Sequence, residues 1–472
     1  MHMQIINRYW KVIFVFSVLS WVTITAISIE SFKGSHELYI LFSIVFFIIA
    51  VDCIFRPIGF SYFFLVAFLT LGFWAKLALH EFFQYPYLEP TGLFDDSASS
   101  WNEVLSVAIV GALAVFTTKM ALAKHLSSSP NPTSLPNPPS WYPTVRIPLW
   151  TLMCIAVVAL PHLNSTLGVS QSGNAARLVL PWPFGGLAAW VLGFGLIACV
   201  LTIVGWDHRM RKNWLVGFFV ILLEGYSSAT SSLSRAAFIF HTVPYIWNLC
   251  TFRLPVSKRA YLVPLIFLVW VVVLVASLRS VMETRYYAPD PSAVSDETSL
   301  LTPLERVPFL IVDRWVGLEG VMAVVGYPNK GYDLLTTAAA DRREQGKLDF
   351  FTSEITKTKL SAAELEHIQY ASIPGAFAFF YYTGSLFFVF LGSSALTFLA
   401  IKSERMVVQF TQNTYLASFW GMMAAQTVAS FGLGLTQTIM YYGVCCAFIV
   451  FVWLVQRRSS SALCNGGYDE VS

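Results

Sequence analysis

The chain repeatedly fills windows of about twenty residues in which charged side chains are rare or absent. A helix of that length matches the thickness of a bilayer's hydrocarbon core. Apolar residues make up 56% of the 472 residues and charged residues only 12%, whereas soluble globular domains carry about 25% charged residues. The sequence therefore predicts an all-α polytopic membrane protein and argues against a soluble domain.

Counting the apolar windows gives about twelve predicted transmembrane helices. They lie at 11–29, 38–55, 58–79, 101–123, 147–163, 184–205, 214–232, 235–252, 260–278, 373–401, 413–433 and 436–455. Lys and Arg gather in alternate connections, which predicts that these connections and both termini are cytoplasmic. The first span is predicted to be a retained anchor, because no small-residue cleavage site follows it.

One polar stretch of about ninety residues interrupts this pattern. It divides the chain into residues 1–278 with spans one to nine, a loop over 279–372, residues 373–458 with the last three spans, and a disordered cytoplasmic tail over 459–472. The orientation predicted from Lys and Arg places the loop on the outer side of the membrane. Connections longer than about 15 residues are usually functional or disordered, and helix signals inside this one favour function.

Two helix starts are predicted in the loop. Thr302, Pro303 and Glu305 form an N-terminal signature, followed by an apolar stripe at helical spacing up to about residue 325 with the charged residues off the stripe. This pattern predicts an amphipathic helix that lies at the membrane surface or packs on the bundle. Ser361 with Glu364 opens a second helix, which places Glu364 and His367 on one face.

Charges of both signs gather in and beside the loop. A guanidinium group can bind a diphosphate through two hydrogen bonds, and a carboxylate can accept a proton from a sugar hydroxyl. The expected bases are Glu319 first, then Asp313, Glu224 and His367. The residues expected to bind substrate are Arg235, Arg279, Arg285, Arg306 and Arg314, with Tyr286 and Tyr287 stacking on sugar rings. No cofactor or metal site is indicated.

The seventh and eighth spans are predicted to form a hairpin that turns near residues 230–234. Arg235 then lies at the outer mouth, and the serines of the turn could bind sugar or phosphate in a water-filled cavity. Counting from the turn places Glu224 and His241 at one depth, where they could pair. Glu224 is either functional or part of a structural hydrogen bond. Lys76 is expected at the membrane interface.

Three segments carry a resemblance to a known family. SSLSRAAF at the start of the eighth span resembles the Ser/Thr-Arg-small motif of Wzy-like oligosaccharide repeat-unit polymerases, which act in bacterial O-antigen and exopolysaccharide assembly. DRWVGLEGVMAVVGYPNKGYDLL resembles their Arg-bearing outer-loop helix. SIPGAFAFFYYTGSLFFVFLG looks like their Pro-then-Gly opening of a late span.

The resemblance implies a GT-C-like fold in a bacterial inner membrane, with an active cavity open to the periplasm. The implied activity is that of a glycosyltransferase, a polysaccharide polymerase that moves a growing glycan from undecaprenyl diphosphate onto a second lipid-linked repeat unit. Arg235 and Arg314 match the two family motifs and would hold diphosphate. The implied partners are the undecaprenyl-diphosphate-linked oligosaccharide, membrane lipid, a chain-length regulator and a flippase. Nucleic acid is not expected.

Three other functions stay open, one of which is a non-catalytic assembly or scaffold protein. An O-antigen ligase would share the architecture and the Arg-rich loop. A transporter or flippase of lipid-linked sugars would instead carry ionisable residues through the middle of the membrane, an expectation that Glu224 and His241 meet.

Overall fold

The computed structural model describes residues 2–125, 135–181, 183–286, 315–342, 344 and 346–465, with the side chains of residues 2–13, 125, 256, 285, 286, 362 and 458–465 left aside. These ranges are built almost entirely of helices. The one β-type pairing among them is an isolated antiparallel bridge between Asn174 and Ile368. The all-α expectation is therefore met over the described part of the chain.

The first ten helices lie between residues 2 and 248. They are α1 (His2–Ile29), α2 (His36–Phe55), α3 (Phe60–Leu69), α4 (Lys76–Phe83), α5 (Ala98–His125), α6 (Tyr142–Leu167), α7 (Phe184–Trp190), α8 (Leu196–Arg209), α9 (Trp214–Ser231) and α10 (Arg235–Asn248). π-helical turns at Thr70–Ala75 and Val191–Gly195 join α3 to α4 and α7 to α8, and a third at Leu249–Arg253 extends α10. Each joined pair therefore runs as one long helix with a local bulge.

Eight helices follow. They are α11 (Val256–Tyr286), α12 (Leu318–Val325), α13 (Tyr332–Ala340), α14 (Ala362–His367), α15 (Ala376–Tyr381), α16 (Leu386–Thr411), α17 (Thr414–Ala429) and α18 (Leu435–Asn465). A further π-helical turn covers Phe351–Ile355. The Ser361 start is confirmed, since a capping box between Ser361 and Glu364 opens α14.

Nine helices in the described ranges are long and apolar enough to cross a membrane. They overlap the predicted spans two to seven, nine, ten and twelve. The other three predicted spans are helical too but fall short as continuous α-helices. α1 counts only as a shorter apolar helix, and α17 has 16 residues. α10 has 14 residues and continues into a π-helical turn. The protein has the architecture of a multi-pass helical membrane protein, and the number twelve stays a prediction.

The predicted span 373–401 is misplaced. A short helix, α15, is followed by a break at residues 382–385, where Gly384 adopts a φ of 72° that favours glycine. The long helix α16 then runs from Leu386 to Thr411. Lys402 and Arg405, expected in a cytoplasmic loop, are therefore helical residues. The break contains no charged residue, so the apolar run predicts one continuous span.

The helix α12 is a buried re-entrant helix rather than a surface helix. All eight of its residues are buried. Just before it, the carbonyl oxygen of Val316 would lie 2.1 Å from a Cβ placed on Gly72, and Gly72 is midway along Phe60–Phe83. At its other end, Gly326 touches the loop at Phe94. The surface-helix expectation is therefore wrong for the described part of this segment.

The helix α15 enters the bundle in the same way. A Cβ on Gly111, at the centre of α5, would lie 2.5 Å from the ring of Phe377, and a Cβ on Gly320 would lie 2.0 Å from the carbonyl oxygen of Pro374. The two short helices thus pack on each other and on α5. Irregular backbone at this depth is tolerated because protein surrounds it.

Candidate functional site

A cavity of about 340 Å³ lies at the loop-side ends of α9, α10 and α17. Hydroxyl and amide side chains dominate its polar wall, and several small residues leave the space open. The lining residues include Ser170, Ser172, Ser228, Ser232, Ser234, Gln426, Thr427, Ser430, Tyr441 and His241. We refer to it as the serine cavity. Neutral donors and acceptors of this kind suit the hydroxyls of a sugar.

The turn between α9 and α10 builds one side of the serine cavity, as the sequence predicts. The turn covers Ser232 to Ser234, and Leu233 takes a left-handed φ of 51°. The backbone N–H of Ser172 donates to the carbonyl of Ser232 at 2.7 Å. Asn164 donates from its side-chain amide to the carbonyls of Ser170 and Ser231. These bonds tie the 168–174 loop to the turn and fix both walls.

Glu224 and His241 form a buried pair behind these serines. Nδ1 of His241 lies 2.9 Å from Oε2 and 3.0 Å from Oε1 of Glu224, and the hydroxyl of Ser228 donates to Oε1 at 2.8 Å. The pairing predicted from the hairpin is therefore confirmed. Because Nδ1 is held by the carboxylate, Nε2 is the nitrogen left for a cavity ligand, and no hydrogen bond from the described residues occupies it.

The opposite wall comes from the π-helical turn Val191–Gly195 and from α18. Gly193 lines the serine cavity, and a Cβ at this position would lie 3.1 Å from the hydroxyl of Tyr441. A larger residue at 193 would therefore crowd the tyrosine. The bulge lets a glycine face the cavity here, which agrees with the frequent occurrence of π-bulges at functional sites.

Arg235 occupies the first position of α10 and is half-buried. Its neighbours Ser234 and Ala236 both line the serine cavity. The N-terminus of a 14-residue helix carries a partial positive charge, to which the guanidinium adds a full one. The turn thus offers a position for an anion beside the neutral wall.

Glu319, the first choice for a base, is placed elsewhere. It is buried within α12, and its Oε1 accepts a hydrogen bond at 2.5 Å from Nζ of Lys76, which is also fully buried. Burial raises the pKa of Glu319, and the Lys76 ammonium opposes that rise. Lys76 is therefore not an interfacial residue as expected. The pair sits in packed protein, and neither residue lines the serine cavity.

The remaining candidates are dispersed or undescribed. His367 is exposed at the end of α14, and its carbonyl accepts a hydrogen bond from the N–H of Ala175. Arg279 is exposed on α11 and pairs with Glu283 four residues later, with an Nε–Oε1 distance of 2.6 Å. Outside the described residues or side chains lie Arg285, Arg306, Arg314, Asp313, Tyr286 and Tyr287.

Sequence reasoning missed several polar residues of the site. Asn164, Gln426, Thr427 and Tyr441 lie on three different helices and carry no local motif. Their shared signal is a polar residue on an otherwise apolar helix near its loop end. That signal does not reveal which of them meet in space.

No protein-family model, curated protein or solved structure matches this chain. The proposed function therefore rests on the geometry of the serine cavity and on the sequence resemblance.

Proposed function

We propose that this protein is a membrane-embedded glycosyltransferase that polymerises a glycan from lipid-linked repeat units, with the serine cavity as its active site. The observation that carries the proposal is the His241–Glu224 pair at the wall of a hydroxyl-rich cavity. A histidine held at Nδ1 by a carboxylate presents Nε2 as a general base. This arrangement replaces Glu319 as the centre of the expected chemistry.

In the proposed reaction, an acceptor sugar hydroxyl gives its proton to Nε2 of His241 while its oxygen attacks the anomeric carbon of the donor. A new glycosidic C–O bond forms, and the C–O bond to the lipid diphosphate breaks. Undecaprenyl diphosphate leaves with the electron pair. Glu224 orients the imidazole and stabilises the imidazolium that forms.

Arg235 is the cation best placed for the leaving diphosphate. It adjoins the serine cavity through Ser234 and Ala236, and its fork can donate two parallel hydrogen bonds to phosphate oxygens. Lysine would keep the charge and lose the fork. Arg314, which matches the second family motif, lies outside the described residues and remains a proposed second diphosphate ligand.

The direct test reconstitutes the purified protein in vesicles with undecaprenyl-diphosphate-linked repeat units and resolves the products on a gel. Wild-type protein is expected to give a ladder of chains. Arg235→Lys should slow extension by at least about tenfold, whereas the matched change Arg279→Lys, at an exposed ion pair away from the cavity, should not. Equal ladders from wild type and Arg235→Lys would count against the proposed role of the arginine.

A deletion strain separates polymerase from ligase. Loss of long chains with single-unit capping retained supports the polymerase, whereas loss of all capping supports the O-antigen ligase. The chemistry proposed for the serine cavity is the same in both enzymes, because each transfers a glycan from the same lipid diphosphate to a sugar hydroxyl.

One observation favours a second candidate, a transporter of lipid-linked sugars. The re-entrant helix α12 carries Glu319 to Lys76 deep in the bundle, and broken helices with ionisable residues at mid-depth are typical of transporters. A transporter predicts that Glu319→Gln abolishes movement of lipid-linked sugar across vesicles. The polymerase predicts product formation without any need for such movement.

A further inference from the structure

A second cavity, of about 290 Å³, lies at the other ends of α10 and α17. Trp247 of α10 lines it, whereas Arg235, beside the serine cavity, begins the same helix. Thr414 and Ala417 of α17 line it, whereas Ser430 follows the end of that helix. No described residue lines both cavities. The two sites are therefore distinct.

The wall of this second cavity is mostly apolar. It is formed by Pro57, Ile58, Phe60, Phe63, Trp247, Phe252, Val408 and Ala417, with Arg405 and Glu404 as its charged members. We refer to it as the apolar cavity. A closed apolar cavity of about 150 Å³ takes up benzene in water-soluble proteins. The space here is about twice that volume and suits a segment of a hydrocarbon chain.

Glu404 is not available to a ligand. Its Oε1 accepts from the backbone N–H of Phe60 at 2.9 Å, and its Oε2 accepts from the N–H and the hydroxyl of Ser61 at 2.7 and 2.6 Å. The carboxylate thereby caps the first two residues of α3, where the helix dipole favours a negative charge. Its charge serves the fold.

Arg405 differs from its neighbour in this respect. Its Nη2 donates one long hydrogen bond, 3.3 Å, to the carbonyl of Ile58, and its Nε is buried without a hydrogen-bond partner. Within the described ranges, no carboxylate lies within ion-pair distance of its guanidinium. An arginine that only anchors a helix at the interface would extend its charged group into water. A half-buried guanidinium with unused donors favours an anion.

The apolar cavity also has a route to the lipid. Trp247 lines it and is 39% exposed. Phe55, Met406 and Phe410, each within two residues of a lining residue in the sequence, are exposed as well. A chain that enters past Trp247 would keep its remaining length among lipid tails. Its headgroup would stay at Arg405.

We infer that the apolar cavity binds an amphiphile whose hydrocarbon chain packs against Phe60, Phe63 and Trp247 and whose phosphate receives hydrogen bonds from Arg405. The shared chemistry is a phosphate headgroup of net negative charge on a long apolar chain. Its source is either a bulk anionic phospholipid or a polyprenyl phosphate. The inference does not depend on the reaction proposed for the serine cavity.

The test titrates purified full-length protein in detergent with phosphatidylglycerol, undecaprenyl phosphate or phosphatidylcholine, and counts retained lipid by native mass spectrometry. Wild-type protein should retain one anionic lipid about tenfold better than phosphatidylcholine. In an equimolar mixture, preferential retention of undecaprenyl phosphate identifies a polyprenyl carrier, and preferential retention of phosphatidylglycerol identifies a bulk phospholipid. Equal retention of phosphatidylcholine would overturn the inference.

Three variants locate the binding. Arg405→Gln should remove the preference for anionic lipid, whereas the matched change Lys402→Gln, one turn earlier on α16 with its ammonium over the Phe398 ring, should keep it. Ala417→Phe should fill the apolar cavity and lower retention of every lipid at least about tenfold. Elution volume and thermal unfolding confirm that each variant is folded. A preference that survives both Arg405→Gln and Ala417→Phe would contradict the site.

Discussion

Two buried carboxylates with buried partners have opposite surroundings. Glu224 pairs with His241 beside an open cavity lined by serines. Glu319 belongs to α12, whose residues are all buried, and it pairs with Lys76. The adjacent Gly320 packs against the backbone of Pro374. Burial and charge pairing are common to both, so these features alone do not mark a reactive site. The open space beside the histidine is what distinguishes the first pair.

The partners differ in chemistry as well. Imidazole can gain and lose a proton near neutral pH, whereas the ammonium of Lys76 donates a hydrogen bond to the Glu319 carboxylate. The Lys76–Glu319 pair therefore suits a structural contact that ties the re-entrant segment to the bundle. The His241–Glu224 pair suits proton transfer. The two roles, structural contact and proton transfer, predict different effects of mutation.

The largest effect is expected from His241→Ala, which removes the proposed base. Chain extension should fall by about 10³-fold, since general base catalysis contributes about 10² to 10⁴ in rate. Gel analysis of reconstituted product measures the change. The matched control is His162→Ala, at an exposed histidine of α6, which should extend chains at the wild-type rate. Normal extension by the His241→Ala protein would remove the serine cavity from consideration as the active site.

A change at Glu319 should act mainly on stability. Glu319→Gln removes the carboxylate that accepts a hydrogen bond from the buried Lys76 ammonium, which should lower the free energy of unfolding by about 3 kcal/mol. Thermal unfolding in detergent reports the loss. The double change Lys76→Met with Glu319→Leu should recover most of it, because apolar side chains of similar size can replace a buried pair. A stable Glu319→Gln protein that has lost activity would instead support the transporter.

The smallest effect concerns the capping box of α14. The Ser361 side chain lowers the pKa of the exposed Glu364 carboxyl. Because the folded-state pKa is depressed, the stabilisation is present above the ordinary glutamate pKa and is lost as pH falls through the folded-state value. Hydrogen exchange of amides 362–368, corrected for intrinsic rates, should show weaker protection at pH 3 than at pH 6. Glu364→Gln should remove this difference.

Features that depend on neighbouring sequence could be predicted. The helical class, most span positions, the α9–α10 turn and the capping box at Ser361 follow from apolar length, turn chemistry and residue spacing. The Glu224–His241 pairing also belongs here, because the two residues flank one short turn and helix geometry fixes their depth. No long-range information was needed.

Features that depend on distant segments could not be predicted. Glu319 lies off the apolar stripe, which predicts a position on the polar face of the helix. Its partner Lys76 is 243 residues away in the sequence, so local spacing does not reveal their contact. The apolar cavity is a gap where four separated stretches meet, around residues 57–63, 247–252, 404–408 and 414–417. Gaps leave no trace in composition or periodicity.

The contact between Val316 and Gly72 has a consequence for how the protein is made. During synthesis, α1 to α11 leave the ribosome before residues 315–325 are made. The space beside Gly72 is therefore unfilled until this later segment is synthesised. Until then the Glu319 carboxylate that binds Lys76 is absent from the bundle. Assembly is thus completed by a segment from beyond α11, and a protein truncated after α11 would lack the residues that fill the space beside Gly72.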